Sequence, residues 1–316
     1  MARSTRCWRP EMSEFRSGFV SFVGRPNAGK STLTNALVGE KVAITSSRPQ
    51  TTRHVVRGLV HRPDGQLILV DTPGLHRPRT LLGERLNDLV RSTWSEVDIV
   101  GMCFPSDQRI GPGDRYLIGE LAALRSKPMF AIATKTDLVS PERLAQHLQA
   151  IASAGQEAGV DWTQIVPVSA VKGEQVELLS DLLLQTLPEG PAFYPEGQLT
   201  DEPEETLVAE IIREAALEGV HDELPHSLAV VVEEMVPRQD RPESKPLLDV
   251  RVNLYVERDS QKGIIIGKKG ARLREIGVTS RGQIERLLGT PVYLDLHVKV
   301  AKDWQRDPKQ LRKLGF

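Results

Sequence analysis

The chain of 316 residues is 40% hydrophobic and 26% charged, has a formal net charge of -1, and contains two cysteines that lie far apart, Cys7 and Cys103. These values predict about two globular domains in a reducing compartment, and they exclude an intrinsically disordered chain and a cysteine-based metal site. No apolar run approaches the ~18 residues that a membrane-spanning helix needs, and the opening segment MARSTRCWRPEMSEF lacks the apolar centre of a signal peptide, so we expect a cytoplasmic protein.

Charge is distributed unevenly along the chain. Residues 247–316 carry 15 Lys/Arg against 8 Asp/Glu, whereas residues 1–246 carry 26 against 34. The stretch from Glu189 to Glu243 holds 15 acidic and 3 basic residues, and such a run is usually a solvated helix face. AEIIREAALEGV within it has the spacing of an amphipathic helix. The basic C-terminal module indicates a polyanionic partner at that end.

Domain boundaries follow from composition. The segments PEGPAFYPEG and DEPEE have the proline, glycine and charge content of a linker. We therefore predict a basic N-terminal tail over 1–17, a first domain over 18–188, a linker over 189–203 and a second domain over 204–316. Met12 is an alternative start to Met1.

The first predicted strand, GFVSFV, leads into GRPNAGKST at residues 24–32 and then into the helical segment LTNALVG. The spacing G-x-x-x-x-G-K-S is that of a loop whose backbone N–H groups surround a phosphate chain. A simple strand-to-helix turn needs a glycine but has no use for Lys-Ser at the helix start. The predicted cradle comprises Gly24, Arg25, Pro26, Asn27, Ala28, Gly29, Lys30, Ser31 and Thr32.

Strand and helix patterns alternate through the first domain. The predicted strands are GFVSFVG, HVVRGLVH, QLILVDT, VDIVGMCF, PMFAIAT and TQIVPVS. This order predicts an α/β fold with an open, mainly parallel sheet covered by helices on both faces. Pro63-Asp64-Gly65 joins two of the strands closely enough for an antiparallel hairpin. In such folds ligands bind at the carboxyl ends of the strands.

Three of the loops that follow strands carry candidate binding residues. The first contains Asp71, Thr72, Pro73 and Gly74, in which a carboxylate can hold Mg²⁺ through water and a glycine amide can meet a terminal phosphate. The second contains Thr134, Lys135, Thr136 and Asp137, and the third contains Ser169 and Ala170. The Asp137 carboxylate can accept two hydrogen bonds from the N1 and N2 edge of guanine, which adenine lacks. A backbone N–H of the third loop can bond the guanine O6 atom.

These motifs together resemble the translation-factor-like branch of P-loop GTPases. The resemblance implies binding of GTP and GDP with Mg²⁺, and it identifies Arg48–Arg53 as a first switch. Magnesium ligands would be Ser31, Thr52 and, through water, Asp71, with Thr51 as the alternative to Thr52. Lys30, Thr52, Gly74 and Asn27 would act in catalysis.

Three residues deserve comparison with that group. Thr134 stands where the base-recognition motif usually has Asn, so we expect weaker bracing of base and cradle. Leu75 stands where many signalling GTPases have the Gln that orients water, so intrinsic hydrolysis should be slow. Asn27 matches the position at which potassium-dependent relatives bind K⁺; alternatively, Asn27 only tolerates the turn geometry.

The C-terminal module has a separate signature. LLDVRVNLYVER and PVYLDLHVKVAKDW alternate as strands, and ARLREIGVTSRGQIERLLG is a predicted helix with Leu273, Ile276, Ile284 and Leu287 available for burial. The helix follows the turn Gly267-Lys268-Lys269-Gly270, which suits the approach of a sugar-phosphate chain. Trp304 either stacks on a base or packs under the last helix. The predicted RNA-binding residues are Ile266, Gly267, Lys268, Lys269, Gly270 and Arg272.

This module resembles a type II KH domain, and the whole chain from Gly18 to Phe316 resembles the bacterial Era family. GRPNAGKST, QTTRH, DTPGLH, IIIGKKG and LRKLGF carry the likeness. The resemblance implies a monomeric GTPase that binds small-subunit ribosomal RNA near its 3′ end and assists 30S assembly. It also implies peripheral association with the cytoplasmic face of the inner membrane, for which the sequence offers no lipidation motif. The alternatives are a GTPase of RNA modification or of membrane-linked cell-cycle control, with a structural KH module.

Overall fold

The first domain is built around a six-stranded sheet. The computed structural model describes residues 15–45, 55–75, 80–124, 126–220, 227–239, 242 and 245–316. The strands are β1 (Arg16–Val23), β2 (Val56–Arg62), β3 (Gly65–Asp71), β4 (Ile99–Pro105), β5 (Met129–Thr134) and β6 (Gln164–Pro167). Their order across the sheet is β2-β3-β1-β4-β5-β6. All neighbours pair in parallel except β2 and β3, so the predicted strands and the mainly parallel sheet are confirmed.

The β2–β3 pair is an antiparallel hairpin closed by a two-residue turn. Arg62 at the end of β2 pairs with Gly65 at the start of β3, leaving Pro63 and Asp64 in the turn. A Cβ atom at Gly65 would lie 2.4 Å from the Arg16 carbonyl oxygen, so only glycine fits where β3 begins beside β1. The hairpin predicted at Pro63-Asp64-Gly65 is confirmed.

Among the described residues, five α-helices cover the two faces of this sheet. They are α1 (Lys30–Val38), α2 (Leu81–Glu96), α3 (Pro112–Leu121), α4 (Pro141–Ala158) and α5 (Val176–Thr186). Local signals fix their ends: the Thr80 hydroxyl accepts the Gly83 N–H and caps α2, and Pro141 opens α4, which ends at Gly159 with φ 72°.

Apolar clusters form on both faces because the central strands are buried on both sides. All seven residues of β3 are buried. Ile68 and Val70 pack with α2, α3 and α4, whereas Leu67 and Leu69 pack with α1 and α5. Full burial of one such side chain stabilises the fold by about 1.5–3 kcal/mol. This packing holds the carboxyl ends of the strands, and the loops that follow them, in fixed positions.

The segment predicted as a linker lies against the first domain. The Gln66 Oε1 atom accepts the N–H groups of Phe193 and Tyr194 at 2.8 and 3.1 Å. Gly58 of β2 forms a bridge with Thr200. These contacts cover the outer edge of the sheet, which would otherwise present unpaired backbone groups.

The second domain has a separate three-stranded sheet. In the part of the chain that the structure describes, its strands are β7 (Ala229–Pro237), β8 (Leu248–Val256) and β9 (Val292–Val300), and its α-helices are α6 (Glu204–Leu217), α7 (Asp259–Ile266), α8 (Ala271–Leu288) and α9 (Pro308–Lys313). The strand order is β7-β8-β9; β7 pairs with β8 in antiparallel and β8 with β9 in parallel. The predicted helix in AEIIREAALEGV is confirmed as part of α6.

Helices α6, α7 and α8 pack on one face of this sheet. Ile276 and Ile284 of α8 are buried in the core as expected, but Leu287 is 38% exposed, so its predicted burial is wrong. Successive residues of a helix point in different directions, and here Leu288 rather than Leu287 packs against the core. None of the described helices is long and apolar enough to cross a membrane.

The two domains meet at an apolar contact. Leu82 and Leu86 of α2 pack with Trp304 and Leu311 of the second domain. Trp304 is fully buried and donates its Nε1–H to the Ser227 carbonyl oxygen at 2.9 Å. Of the two roles considered for Trp304, packing under the terminal helix is therefore confirmed. Helix α2 follows the Asp71–Gly74 loop in sequence, so this contact ties that loop's helix to the C-terminal module.

Candidate functional site

The predicted phosphate cradle joins β1 to α1 at the carboxyl end of the sheet. Gly29 has φ 90° and immediately precedes Lys30, the first residue of α1. A Cβ atom at Gly24 would lie 2.9 Å from the Cys103 carbonyl oxygen and 3.0 Å from the Ala28 Cβ atom. Only glycine fits there, because β4 approaches the loop so closely. The loop therefore has the backbone shape that a phosphate chain requires.

Lys30 lies inside this loop. It is 7% exposed, and its ammonium group donates to the carbonyl oxygens of Gly24 and Arg25 at 3.2 and 3.3 Å. Burial lowers the pKa of the Lys30 ammonium, and the nearby Asp71 carboxylate partly opposes that shift. A phosphate oxygen would supply the counter-charge that favours the protonated form.

The two predicted magnesium ligands of the described chain lie side by side. The Ser31 hydroxyl donates to the Asp71 Oδ2 atom at 2.7 Å. Asp71 is fully buried at the end of β3, and Thr32 follows Ser31 in the first turn of α1. A hydroxyl and a carboxylate oxygen are hard donors of the type that Mg²⁺ prefers, so the pair fits the ion. Thr52 and the rest of the predicted first switch lie outside the described residues.

The loop after β3 approaches the cradle from the other side. A Cβ atom at Gly74 would lie 3.4 Å from the Lys30 Nζ atom and 3.5 Å from the Pro26 nitrogen. Thr72 is 1% exposed. Leu75, which follows Pro73 and Gly74, is 8% exposed and packs in the core. The predicted place of Leu75 in the nucleotide site stays a prediction.

The base-recognition residues lie in two adjacent loops. The Ser169 hydroxyl donates to the Asp137 Oδ1 atom at 2.6 Å, which orients the carboxylate. The Ser169 N–H donates to the Glu174 carbonyl oxygen. The Ala170 N–H is therefore the better candidate of the two to donate to the guanine O6 atom. The role of the Ser169 side chain was not anticipated from the sequence, which indicated only a backbone contact.

Thr134 retains part of the bracing that an Asn would provide. Its hydroxyl donates to the Ala28 carbonyl oxygen at 2.7 Å, and the residue is 4% exposed. The hydroxyl thus reaches the cradle, and weaker bracing of the base stays a prediction. Lys135 follows with φ 58°, and its ammonium lies 3.9 Å from the Asp107 Oδ2 atom. Thr136 begins a single helical turn that carries Asp137.

Arg25 has a partner that the sequence analysis missed. Its Nε atom donates to the Asp114 Oδ1 atom at 2.7 Å, and the Asp114 side chain is 1% exposed. The other Asp114 oxygen accepts the Gly111 N–H at the start of α3. An acidic residue three positions after Gly111 is a capping signal, and this signal could have identified the helix start but not its partner.

The predicted RNA-binding turn lies between α7 and α8. Lys269 and Gly270 have φ 52° and 77°, and both lysines of the turn are exposed. A Cβ atom at Gly267 would lie 2.7 Å from the Arg272 Cβ atom, whereas one at Gly270 would meet no atom within 4 Å. Gly267 is therefore required by packing, and Gly270 leaves open space for an approaching backbone.

Arg272 and Ile266, also predicted to bind RNA, have structural contacts. The Arg272 Nη2 atom donates to the carbonyl oxygens of Ala216 and Glu218 at 3.3 and 2.5 Å, where α6 ends. Ile266 is partly buried against the core of the second domain. Lys268 and Lys269 are thus exposed charges of this predicted site, whereas Arg272 links the start of α8 to the end of α6.

Comparison with known proteins identifies both modules. A family model described as "50S ribosome-binding GTPase" matches residues 19–135, and one described as "KH domain" matches residues 223–305. A protein named GTPase Era from Streptomyces coelicolor is 70% identical over 307 residues, covering 97% of each chain. GTPase Era from Nocardioides is 72% identical over 301 residues, covering 95% of this chain and 96% of the relative.

Two solved structures are similar over nearly the whole chain. One is Era in complex with MgGDPNP and nucleotides 1506–1542 of 16S ribosomal RNA, with 37% identity and a TM-score of 0.89, covering 95% of this chain and 99% of that one. The other is a variant of Aquifex aeolicus Era bound to GDP and AlF4-, with 36% identity, the same TM-score and the same coverage.

Proposed function

Because this chain belongs to the Era family of GTPases, and is therefore a GTP-hydrolysing enzyme, we propose that it uses GTP to control its binding to small-subunit ribosomal RNA during 30S assembly. The observation that carries this proposal is the convergence of the motifs on one edge of the sheet. Thr134 contacts Ala28 of the cradle, Ser31 contacts Asp71, and Ser169 orients Asp137.

Guanine nucleotide and Mg²⁺ fit the residues at this edge. Lys30 would neutralise the outer phosphates, and the Gly74 N–H would donate to the terminal one. Ser31 and Asp71 would hold Mg²⁺, which supplies positive charge to the phosphates when bound. Asp137 would accept the guanine N1 and N2 protons, so ATP would be rejected. The sequence adds Thr52 as a further magnesium ligand.

Potassium is the finer part of the cofactor proposal. Asn27 is exposed at the rim of the cradle with φ 62°, a conformation that also fits a residue serving the turn alone. We expect K⁺ in place of Na⁺, at constant ionic strength, to speed GTP hydrolysis, by up to roughly 10³-fold if the cation acts as an arginine finger does. Asn27→Gly should remove the difference, because glycine keeps the turn. Equal wild-type rates in the two salts would exclude potassium from the reaction.

The RNA partner is proposed from the relatives and from the turn at 267–270. The solved relative contains 16S ribosomal RNA, and this chain has two exposed lysines between glycines at the start of α8. Phosphate oxygens would accept from the lysines and from backbone N–H groups of the turn. A monomeric state and peripheral membrane association stay predictions from the family resemblance alone.

The test is a crosslinking map of the full chain on small-subunit precursor particles. With a non-hydrolysable GTP analogue, we expect crosslinks from the 267–270 turn to the 3′ region of the small-subunit RNA, and far fewer with GDP. Crosslinks that do not depend on the nucleotide, or that lie on other RNA, would favour the alternative of a GTPase in RNA modification with a structural KH module.

A further inference from the structure

Residues 41–45 follow the end of α1 and extend to the second domain, and hydrogen bonds hold their backbone in place. The Asn35 Oδ1 atom accepts the N–H groups of Val42 and Ala43 at 3.0 and 2.9 Å, and the Asn35 amide donates back to the Ala43 carbonyl oxygen at 2.7 Å. Val42 and Ala43 are buried. The segment is therefore attached to the end of α1, the helix whose first turn carries Ser31.

Glu214 of α6 contacts this segment at both ends. Its Oε1 atom accepts the Thr45 N–H at 2.9 Å and the Thr45 hydroxyl at 3.2 Å, and its Oε2 atom pairs with the Lys41 ammonium. The Lys41 ammonium also donates to the Gln283 Oε1 atom of α8 at 2.9 Å. One carboxylate of the second domain thus holds the first and last residues of a segment of the first domain.

The same helices lead to the predicted RNA-binding turn. Helix α8, which carries Gln283, begins directly after Gly270 of that turn. Arg272 in its first turn donates to the carbonyl oxygens of Ala216 and Glu218, at the end of α6 just beyond Glu214. Any movement of the turn that shifts α8 also acts on α6 through these bonds.

These contacts differ from an ordinary surface ion pair. An exposed pair between flexible side chains contributes little, but the Glu214 side chain is only 13% exposed and accepts a backbone N–H. The contact between α2 and Trp304 is mainly apolar, and beside it the Arg85 Nη1 atom of α2 donates to the Phe316 carbonyl oxygen at 3.0 Å. Glu214 can therefore fix the path of a chain segment that leads, in sequence, to the predicted first switch.

We propose that Glu214 is a positioning residue for GTP hydrolysis, supplied to the GTPase domain by the KH domain. It orders the Lys41–Thr45 segment, which lies between α1 and the part of the sequence that supplies the predicted first switch. GDP, whose phosphates need only the cradle, would be bound without it. The further step, that RNA at the 267–270 turn acts on hydrolysis through α6 and α8, rests on the proposed function.

The test compares full-length variants in GTP hydrolysis without RNA. Glu214→Ala removes both sets of contacts, Glu214→Gln keeps an acceptor oxygen for Thr45, and Glu205→Ala is the matched control because it removes an exposed carboxylate from the same helix. We expect Glu214→Ala to lower kcat at least about 5-fold, the lower end of typical coupling between sites, with GDP affinity unchanged. Glu214→Gln should retain most of the activity and Glu205→Ala all of it.

Wild-type kcat in a folded Glu214→Ala protein would overturn the proposal. If that variant loses GDP affinity as well, or melts early, Lys41→Met decides, because Lys41 is partly exposed and its loss removes the contacts to Glu214 and Gln283 but leaves the bonds from Thr45 to Glu214. A smaller fall in kcat at unchanged GDP affinity would then support the proposal, and wild-type kcat would overturn it. RNA addition is a separate arm: wild-type protein that binds no ribosomal RNA would contradict the proposed function, while the RNA-free result still decides the role of Glu214.

Discussion

Thr134 shows how a single hydroxyl maintains a contact that an amide usually makes. It donates to the buried Ala28 carbonyl oxygen, and leaving that acceptor without a partner costs about 1–3 kcal/mol. We expect Thr134→Val to weaken GDP binding by about 5- to 150-fold, which is that cost expressed as affinity. Thr134→Ser should bind nearly as wild type, because the hydroxyl remains. Fluorescence titration with a labelled GDP measures both.

The same substitution also tests whether the bracing is a matter of shape. Valine and threonine have nearly the same volume, so a packing role would leave Thr134→Val unchanged. Equal GDP affinity of the valine variant and the wild type would therefore contradict the hydrogen-bonding account.

Cys103 is the second residue whose chemistry the fold determines. It is fully buried in β4, and burial raises the pKa of its thiol to about 12. In a Cys7→Ser variant we expect no reaction with a thiol reagent at about pH 8 in the native protein, and one reactive thiol after denaturation. Rapid reaction of the native variant would show that β4 opens or that Cys103 is accessible.

The raised pKa also has a consequence for stability. Above the ordinary thiol pKa of 9.0, only the unfolded chain can ionise Cys103. The contribution of Cys103 to the free energy of unfolding is therefore fully present below pH 9.0 and is lost as the pH rises toward about 12.

Among the elements, those that depend on local sequence pattern and short-range contacts could be predicted from the sequence. Six strands of the first domain follow from apolar runs, and the Pro63-Asp64-Gly65 hairpin follows from its turn residues. Strand β7 was missed because it lies inside the acidic stretch and contains Glu233 and Glu234 at a bulge, which interrupts the alternation.

Contacts between distant residues could not be predicted in the same way. The bonds from Ser169 to Asp137, from Arg25 to Asp114 and from Glu214 to Thr45 join loops or domains far apart in sequence. Each of these side chains could form hydrogen bonds with several residue types. The packing of the helices on the two sheets determines which partner lies close enough. The identity of the cradle residues was predictable because a phosphate chain imposes their order.

The turn before α8 offers a prediction with a built-in control. Gly270 and Gly289 lie at opposite ends of α8, both in the left-handed region, with φ 77° and 62°, and a Cβ atom would meet nothing within 4 Å at either. Gly270→Asp and Gly289→Asp therefore impose similar strain and the same charge. We expect only Gly270→Asp to abolish RNA binding, because phosphate must approach that turn.

RNA titration at several salt concentrations measures this effect and the contribution of charge. Replacing Lys268 and Lys269 by Ala should lower the slope of log K against log salt by about 1.4, since each single-strand phosphate contact contributes about 0.7. RNA binding by a folded Gly270→Asp protein equal to that of Gly289→Asp would show that the nucleic acid lies elsewhere.

For the whole molecule, the two domains are joined by contacts of different kinds. The apolar packing of α2 on Trp304 holds the domains together, whereas the Glu214 carboxylate sets the path of one segment. Both contacts lie next to parts of the chain that the sequence associates with the nucleotide, so a change in nucleotide is expected to change the position or stability of the KH domain. This expectation is the physical basis for control of RNA binding by GTP.

The central claim, that the guanine nucleotide controls RNA binding, is tested most directly by RNA affinity measured with the Asp137→Asn variant. An asparagine amide at this position prefers xanthine, whose base has an acceptor where guanine has the N2 donor, and the lost charge-assisted bonds to guanine cost about 1.5–3 kcal/mol. In wild-type protein, a non-hydrolysable GTP analogue should promote binding to an RNA from the small-subunit 3′ region, and the xanthosine analogue should not. In Asp137→Asn the dependence should reverse. Tight RNA binding by both proteins with either analogue, or with GDP alone, would contradict the account.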